Sequence, residues 1–515
     1  MRHHGGLKAI LPLSARRCCQ QNVTPAPGDQ ELAQADPVKR CDTIETGTTR
    51  TLSTVNTAQA GLKFHSFAES KTFLMARIYP FRAWRYNPSS VRLEDVVTQP
   101  YDKITPAMQQ AYYQRSPFNL VRIILGLPEL FDAEEGENVY TRAAQDFRAW
   151  REQGILVQEN EPCVFAYTQR FKVPGTEVER ERRGFIALGK LHEYADQVVF
   201  RHEQTLSKPK SDRLNLLKAT RAHFGQIFML YSDPAGSVEK ILYDANDAAD
   251  AEVTDEYGVQ HRLWRVNNPA AIRLLVTAMS DKKLIIADGH HRYETALKYS
   301  KEHSGGGHGK SGSSTQQLPQ PEFPEAAVMM TFVNMDSDGL VVLPTHRVVH
   351  GLSGFFATAF FKAAEAYFEV KPLPPFEAAA LIEELSREPG TAFVAVTVSG
   401  AFLLRAKPDA MVNALADLPD RQRQLDLTQL HSIVLERLLG LDAEKVREQT
   451  NLRYLRDAQE AVEQVRSGDA DVAFLTKPVT MEQLKEVAFA GEVMPQKSTD
   501  FFPKLLSGLA IYALD

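Results

Sequence analysis

The run Leu284-Ile285-Ile286-Ala287-Asp288-Gly289-His290-His291-Arg292-Tyr293 constrains this chain more than any other stretch. Four apolar residues, 284–287, read as a buried strand that stops at Asp288-Gly289. Tyr293, Ala296, Leu297 and Tyr299 then fall near helical spacing, so a helix starts at once. Gly289 allows a sharp turn, and the free N–H groups of the new helix point at one spot. Asp288, Gly289, His290, His291 and Arg292 crowd that spot with donors and positive charge. Such chemistry suits an anion, phosphate first of all. A polar turn with solvated histidines is the plainer alternative.

At 515 residues the chain has room for two or three domains and a large core. A net charge of -6 speaks against a dedicated nucleic-acid surface, since those are basic. No apolar run reaches the roughly 18 residues of a membrane span. Cys18, Cys19, Cys41 and Cys163 form no CxxC pair, which argues against a zinc site or disulfide scaffold and fits a reducing cytoplasm.

Residues 1–74 are rich in Thr, Gln, Ala and Gly and poor in periodic apolar residues. They read as a disordered tail or an extension upstream of a start at Met75; an organelle transit peptide is the alternative. From Met75 strands and helices alternate, giving an α+β or mixed α/β fold. Strands are expected at 76–86, 119–125, 284–287, 328–335, 340–343 and 392–404, with a hairpin at 164–173 and 183–191. Helices are expected after Thr105-Pro106 and at 139–153, 214–228, 427–439 and 481–489. The expected domains are 75–352, with a flexible insertion at 303–323, and 353–515, whose tail at 490–504 returns to the site. Within the insertion, 304–311 nearly spells a phosphate loop. It follows a helix and runs into Ser/Gln/Pro coil, whereas that loop needs a strand before and a helix after.

Four further clusters carry charge. The first holds His202, Glu203, Lys208, Lys210, Asp212 and Arg213, with Asp212 expected to cap the following helix. Its lysines and arginine suit phosphate, and Glu203 suits a base or metal ligand; a solvated loop is the alternative. The second is His346-Arg347, just after the strand expected at 340–343. The third is Gln99-Pro100-Tyr101-Asp102-Lys103, where Asp102 suits magnesium or a hydroxyl proton; Glu94 and Asp95 compete for that role. The fourth is 490–504, in which Lys497, Ser498 and Thr499 are candidate phosphate partners or parts of a docking segment.

Taken in chain order, the stretches 79–87, 99–102, 202–205, 209–214, 288–293, 343–347 and 491–499 resemble the domain-of-unknown-function family 1015 over about residues 75–515. Its members are often labelled ParB-like or SpoOJ-like. The Asp288-to-Arg292 turn is similar to the phosphate-binding Gly-Glu-Arg-Arg turn of ParB and to its counterparts in sulfiredoxin and the free-serine kinases. The resemblance implies a ParB/sulfiredoxin-like nucleotide-binding core with phosphate held at Gly289, His290, His291 and Arg292. It also implies an acidic residue that deprotonates a hydroxyl, with Asp102 the candidate. The family's genes tend to lie beside serine-biosynthesis genes.

The expected function is therefore phosphoryl transfer or removal on a small metabolite, serine or phosphoserine among them. Asp102, Glu203 and His291 are the catalytic candidates, and His202, Lys208, Lys210, Arg213, His346 and Arg347 join the phosphate set. The expected partners are a nucleotide or pyrophosphate and magnesium, the metal on Asp102 or Glu203. A nucleotide-switched DNA-binding or partition protein is the alternative. It predicts a basic helix-turn-helix, whereas the stretch after 353 carries Glu365, Glu369, Glu377, Glu383 and Glu384. A histidine–metal hydrolase using His290, His291 and His346 ranks last, because adjacent histidines on a helix diverge. His346 and His350 flank a β-branched pair, which does not suit the helix that would align them.

Overall fold

In a computed structural model of the chain, the run at 284–288 is the strand Leu284–Asp288, second from the edge of a nine-stranded mixed sheet. The described residues are 75–134, 136–203, 207–243, 248–304, 317–374 and 377–515, with the main chain alone at 207–209. Leu284 and Ile286 pack into one hydrophobic layer, Ile285 and Ala287 into the other. Successive strand side chains point to opposite faces, so a strand covered on both shows an unbroken apolar run. Its neighbours are Val199–Phe200, parallel, and Ile227–Tyr231, antiparallel. The row continues through Ala327–Asn334, Glu179–Lys190, Val164–Lys172, Gln260–Val266 and Ala251–Thr254, and the ninth strand, Ile78–Tyr79, pairs with Glu179–Lys190 off this row. Trp84–Tyr86 pairs separately with Leu156–Gln158, so the strand expected at 76–86 is two short ones. The expected hairpin is the pair Val164–Lys172 and Glu179–Lys190 near its centre.

A second sheet is antiparallel and has six strands. Its order is Phe368–Leu373, Gly400–Ala406, Ala392–Thr397, Val472–Leu475, His346–Val349 and Leu452–Leu455. The stretch 392–404 is thus two strands, not one. Val398 and Ser399 form a two-residue turn hidden inside an apolar run.

The structure alters three further expectations. Residues 119–125 hold the helix Val121–Ile124 rather than a strand. Its β-branched residues suit a strand, but buried Asn119 accepts the Val121 N–H at 3.0 Å and donates to Asp95 O at 2.8 Å, which starts the turn. The helix expected at 214–228 runs Ser207–Thr220 instead and ends where Arg221 takes a left-handed φ of 48°. Ala222–His223 and Ile227–Tyr231 beyond it are strands, and Asp212 lies inside the helix, bound to Tyr140 and Arg213 rather than capping it. The helix at 427–439 divides into Asp426–Gln429 and a wider π-helical stretch, Leu430–Leu438.

Other helices follow their signals. Thr105 accepts from Met108 N ahead of Pro106–Arg115. Asn138 and Thr141 cap Val139–Glu152 reciprocally, and this helix buries Ala143, Phe147 and Trp150 on one face. Met481–Phe489 is likewise as read. Residues 1–74, and 305–316 within the insertion at 303–323, lie outside the described residues. No helix among the described residues is long and apolar enough to cross a membrane.

The last 22 residues form a buried strap that stitches distant segments together. Met494 N donates to His202 O at 2.8 Å, and Asp500–Phe502 pairs with Val341–Leu343. Further on, Ser507 and Thr98 exchange main-chain hydrogen bonds, and Tyr512–Ala513 pairs with Ala222–His223. Buried Arg182 anchors the strap, donating to Gln169 Oε1 and to the carbonyls of Phe502 and Pro503. Burial pulls this guanidinium down to about 9, so it stays charged at neutral pH. Substituting Arg182→Met fills the space but leaves those buried oxygens without donors. We expect a loss of about 2–4 kcal/mol, read as a lower urea midpoint; an unchanged midpoint would contradict the anchoring role.

Candidate functional site

A cleft of about 680 Å³ opens where the strand Leu284–Asp288 ends. The turn Tyr101–Lys103 brings in Asp102 and Lys103, and the loop after Val199–Phe200 brings in Glu203. Tyr454 and Arg456 arrive from the six-stranded sheet, and Lys497, Thr499, Asp500 and Lys504 from the strap. Gly289, at φ 93°, lets the chain turn directly into the helix His290–His303. No side chain caps that helix, so its first-turn amides keep their pull on an anion.

The charges in the cleft are unevenly paired. Lys504 Nζ, nearly buried, lies 3.1 Å from Asp500 Oδ1 and 3.8 Å from Asp288 Oδ1. Burial alone would raise Asp288. Lys504, Arg292, Lys103 and Lys497 overcome it and hold that carboxyl well below the usual range. Asp500 is held low in the same way, chiefly by Lys504 and Arg456. Lys504 is lowered by burial, but Asp288, Asp500 and Asp102 carry it above the ordinary lysine value. Lys103 feels Lys504 most, then burial, and is pushed down. Neither the Lys103 nor the Lys497 ammonium has a hydrogen bond or ion pair among the described residues, and the Asp102 carboxylate has none either.

The sequence candidates divide into three places. Asp102, Glu203, Asp288, Lys497 and Thr499 line the cleft. Glu203 Oε1 accepts the Lys497 N–H at 2.7 Å and so fixes the strap beside it. His291 stands near Glu203, Lys497 and Asp102, and burial followed by Lys497 lowers it. Arg292 folds back, donating to Gln226 O and to Asp288 Oδ2 at 3.1 Å. With Arg213 and Tyr101 it lines a smaller neighbouring pocket, and the Arg213 guanidinium sits 4.1 Å from the Tyr101 ring centre.

Other candidates are bound into the framework. His290 is buried edge-on to His202, ring centres 4.9 Å apart, and His202 Nε2 meets Thr499 Oγ1 at 2.8 Å. Lys210 pairs with Glu294 at 2.9 Å, and Ser498 donates to Pro495 O at 2.6 Å. His346 accepts from Thr476 N at 3.2 Å, and fully buried Arg347 donates to the carbonyls of Thr345, Gln496 and Lys497. The Lys208 side chain lies outside the described residues. Sequence reasoning missed Lys103, Arg456, Asp500 and Lys504. Asp500 and Lys504 are spaced i, i+4 with opposite charge, and Lys103 follows Asp102 directly, so those three left a readable trace.

The chain belongs to the DUF1015 family, described as protein of unknown function, whose model matches residues 78–428. No curated protein matches it. Among solved structures, a conserved hypothetical protein from Pyrococcus furiosus aligns at 13% identity and TM-score 0.31, over 61% of this chain and 91% of that one. A free serine kinase in complex with AMP aligns at 14% identity and TM-score 0.32, over 66% and 97%. SbnI with C-terminal truncation from Staphylococcus aureus aligns at 10% identity and TM-score 0.31, over 62% and 85%. The chemistry open to this chain follows from its own residues.

The buried histidines make stability pH-dependent. Burial lowers His202 and His290, and takes His346 from 6.5 to about 4. The unfolded chain takes up these protons near 6.5 and the folded chain only at lower pH. Their contribution is full above about 6.5 and is lost as pH falls through the depressed values. Asp288 and Asp500 contribute losses only below the ordinary carboxylate range. Melting temperature should therefore fall by several degrees between pH 7 and 5; a flat profile there would contradict the neutral burial of these rings.

Proposed function

We propose that the cleft binds the phosphates of a nucleotide or small phosphorylated metabolite, and that the protein transfers or removes a phosphoryl group there. One observation carries this reading. Lys103 and Lys497, whose ammonium groups have no ion pair among the described residues, share the cleft with the carboxylate of Asp102, likewise unpaired there, and Asp288 in its wall leads directly into an uncapped helix. Phosphoryl transfer needs little covalent help from a protein; it needs positioning and positive charge. In this reading Lys103, Lys497 and the amides after Gly289 hold the phosphates, and the Thr499 hydroxyl adds a donor. Asp102 takes the proton of the attacking hydroxyl or water, and His291 lies beside that path. A serine-like hydroxy amino acid is the acceptor that the turn's resemblance to its counterpart in the free-serine kinases suggests.

Magnesium fits this site in one way only. Among the described residues no three His, Cys, Asp or Glu side chains gather to hold a metal. Magnesium commonly takes one or two carboxylates and completes its shell with phosphate oxygens and water. The second oxygen of Glu203 would serve while Asp102 stays free to take the proton, and the ion would neutralise phosphate charge.

The reading is tested by thermal shift of the full chain with ATP, ADP, CTP, pyrophosphate and phosphoserine, each with and without magnesium. At least one should raise the melting temperature by several degrees. Lys103→Ala and Lys497→Ala should each weaken that ligand about tenfold. Asp102→Asn should leave binding and reduce turnover of the bound phosphate about 10²–10⁴-fold. A ligand indifferent to both lysines would refute this site.

A further inference from the structure

The six-stranded sheet carries a second cleft, of about 650 Å³, that shares no lining residue with the first. Gln429 lines it and is only 6% exposed. Gln429 Nε2 donates to Arg423 O at 2.9 Å, which orients the amide. The other end, Oε1, is buried without a donor. Buried acceptors are nearly always paired, so an orphan in a cavity wall points to something that binds there.

Asp426 stands three residues before Gln429 on the helix Asp426–Gln429, where i, i+3 spacing puts both on one face. Its Oδ1 accepts from Thr391 at 2.7 Å. Its Oδ2 has only Lys477 Nζ at 3.7 Å, longer than a hydrogen bond. Lys477 is instead committed to the carbonyls of Glu388 and Gly390, and Arg405 is held by both oxygens of Glu388. The cations of this cleft are therefore engaged chiefly by carbonyls and by Glu388, while Gln429 Oε1 has no donor and Asp426 Oδ2 has only the long Lys477 contact. Burial raises the Asp426 carboxyl, and Thr391 and Lys477 offset this only in part.

We propose that this cleft binds a small metabolite bearing a primary ammonium group, held between Asp426 Oδ2 and Gln429 Oε1. Both atoms accept only, and an ammonium offers three donors with a charge that matches the carboxylate. Gln424, Thr480 and Gln483 give the rim polar groups for the rest of the molecule. A small recess joins Asp426 and Lys477 to Ser498 at the back of the strap, whereas Lys497 and Thr499 face the phosphate cleft. The two sites share a backbone segment but no side chain, so this inference does not rest on the proposed function.

The test is calorimetric titration of the full chain with ethanolamine, putrescine and the free amino acids, with acetamide as the uncharged control. At least one primary amine should bind saturably, with a dissociation constant below about 1 mM. Asp426→Asn and Gln429→Met should each weaken it about tenfold or more, while Lys103→Ala leaves it unchanged. Gln429→Met removes the orphan carbonyl together with the Nε2 donor to Arg423 O, so the melting temperature of the ligand-free variant is measured alongside to show that it folds. Absence of amine binding, binding untouched by both substitutions, equal affinity for acetamide, or loss in Lys103→Ala would each overturn the assignment.

Discussion

Two buried guanidinium groups hold the C-terminal strap, and the cleft exists because they do. Arg182 donates to the carbonyls of Phe502 and Pro503, Arg347 to those of Gln496 and Lys497. Neither has a carboxylate partner in its hydrogen bonds. A cation taken out of water must recover its solvation, and here carbonyl dipoles and Gln169 supply it. The acceptors are main-chain atoms, so the strap is positioned through its backbone. Its side chains are left over for other work, and Lys497, Thr499, Asp500 and Lys504 do that work in the cleft. The same logic explains Arg347 and His346, which look like site residues in the sequence. Charge next to a strand end signals either a ligand or a buried clamp, and residue type alone does not separate them.

The parts of the fold with local causes were legible. Residues 284–292 turn as read, because an apolar run, a glycine and a helical spacing all point the same way. The hairpin at 164–191 and the helices opened by Thr105 and Asn138 also carry their own signals. Where reading failed, the cause was a non-local or hidden one. Asn119 starts a helix through a bond to Asp95, twenty-four residues away. Arg221 ends a helix in a left-handed conformation that no glycine announces. The site was legible in outline only. Of the residues the motifs singled out, Asp102, Glu203, Asp288, Lys497 and Thr499 line one cleft. Lys103 and Lys504 went unnoticed because their meaning lies in what they do or do not pair with, and pairing is a property of three dimensions.

The cleft's chemistry rests on how its charge is divided. Asp288, Asp500 and Lys504 form a nearly closed set, each holding the others in the charged state, with Arg292 and Arg456 on the outside. A set so balanced is a rigid polar floor rather than a ligand grip. Lys103 and Lys497 are not balanced. Lys103 is pushed down chiefly by Lys504 and then by burial, and Asp500 and Asp102 offset this only in part. In the phosphate-binding reading, an anion settling between these ammonium groups would offset that repulsion. In that reading the strand-to-helix turn would contribute amides and Asp288, and the cations would come from Lys103 and the strap. Arg292, the residue the motif makes most conspicuous, is spent on bracing the turn itself through Asp288 and Gln226.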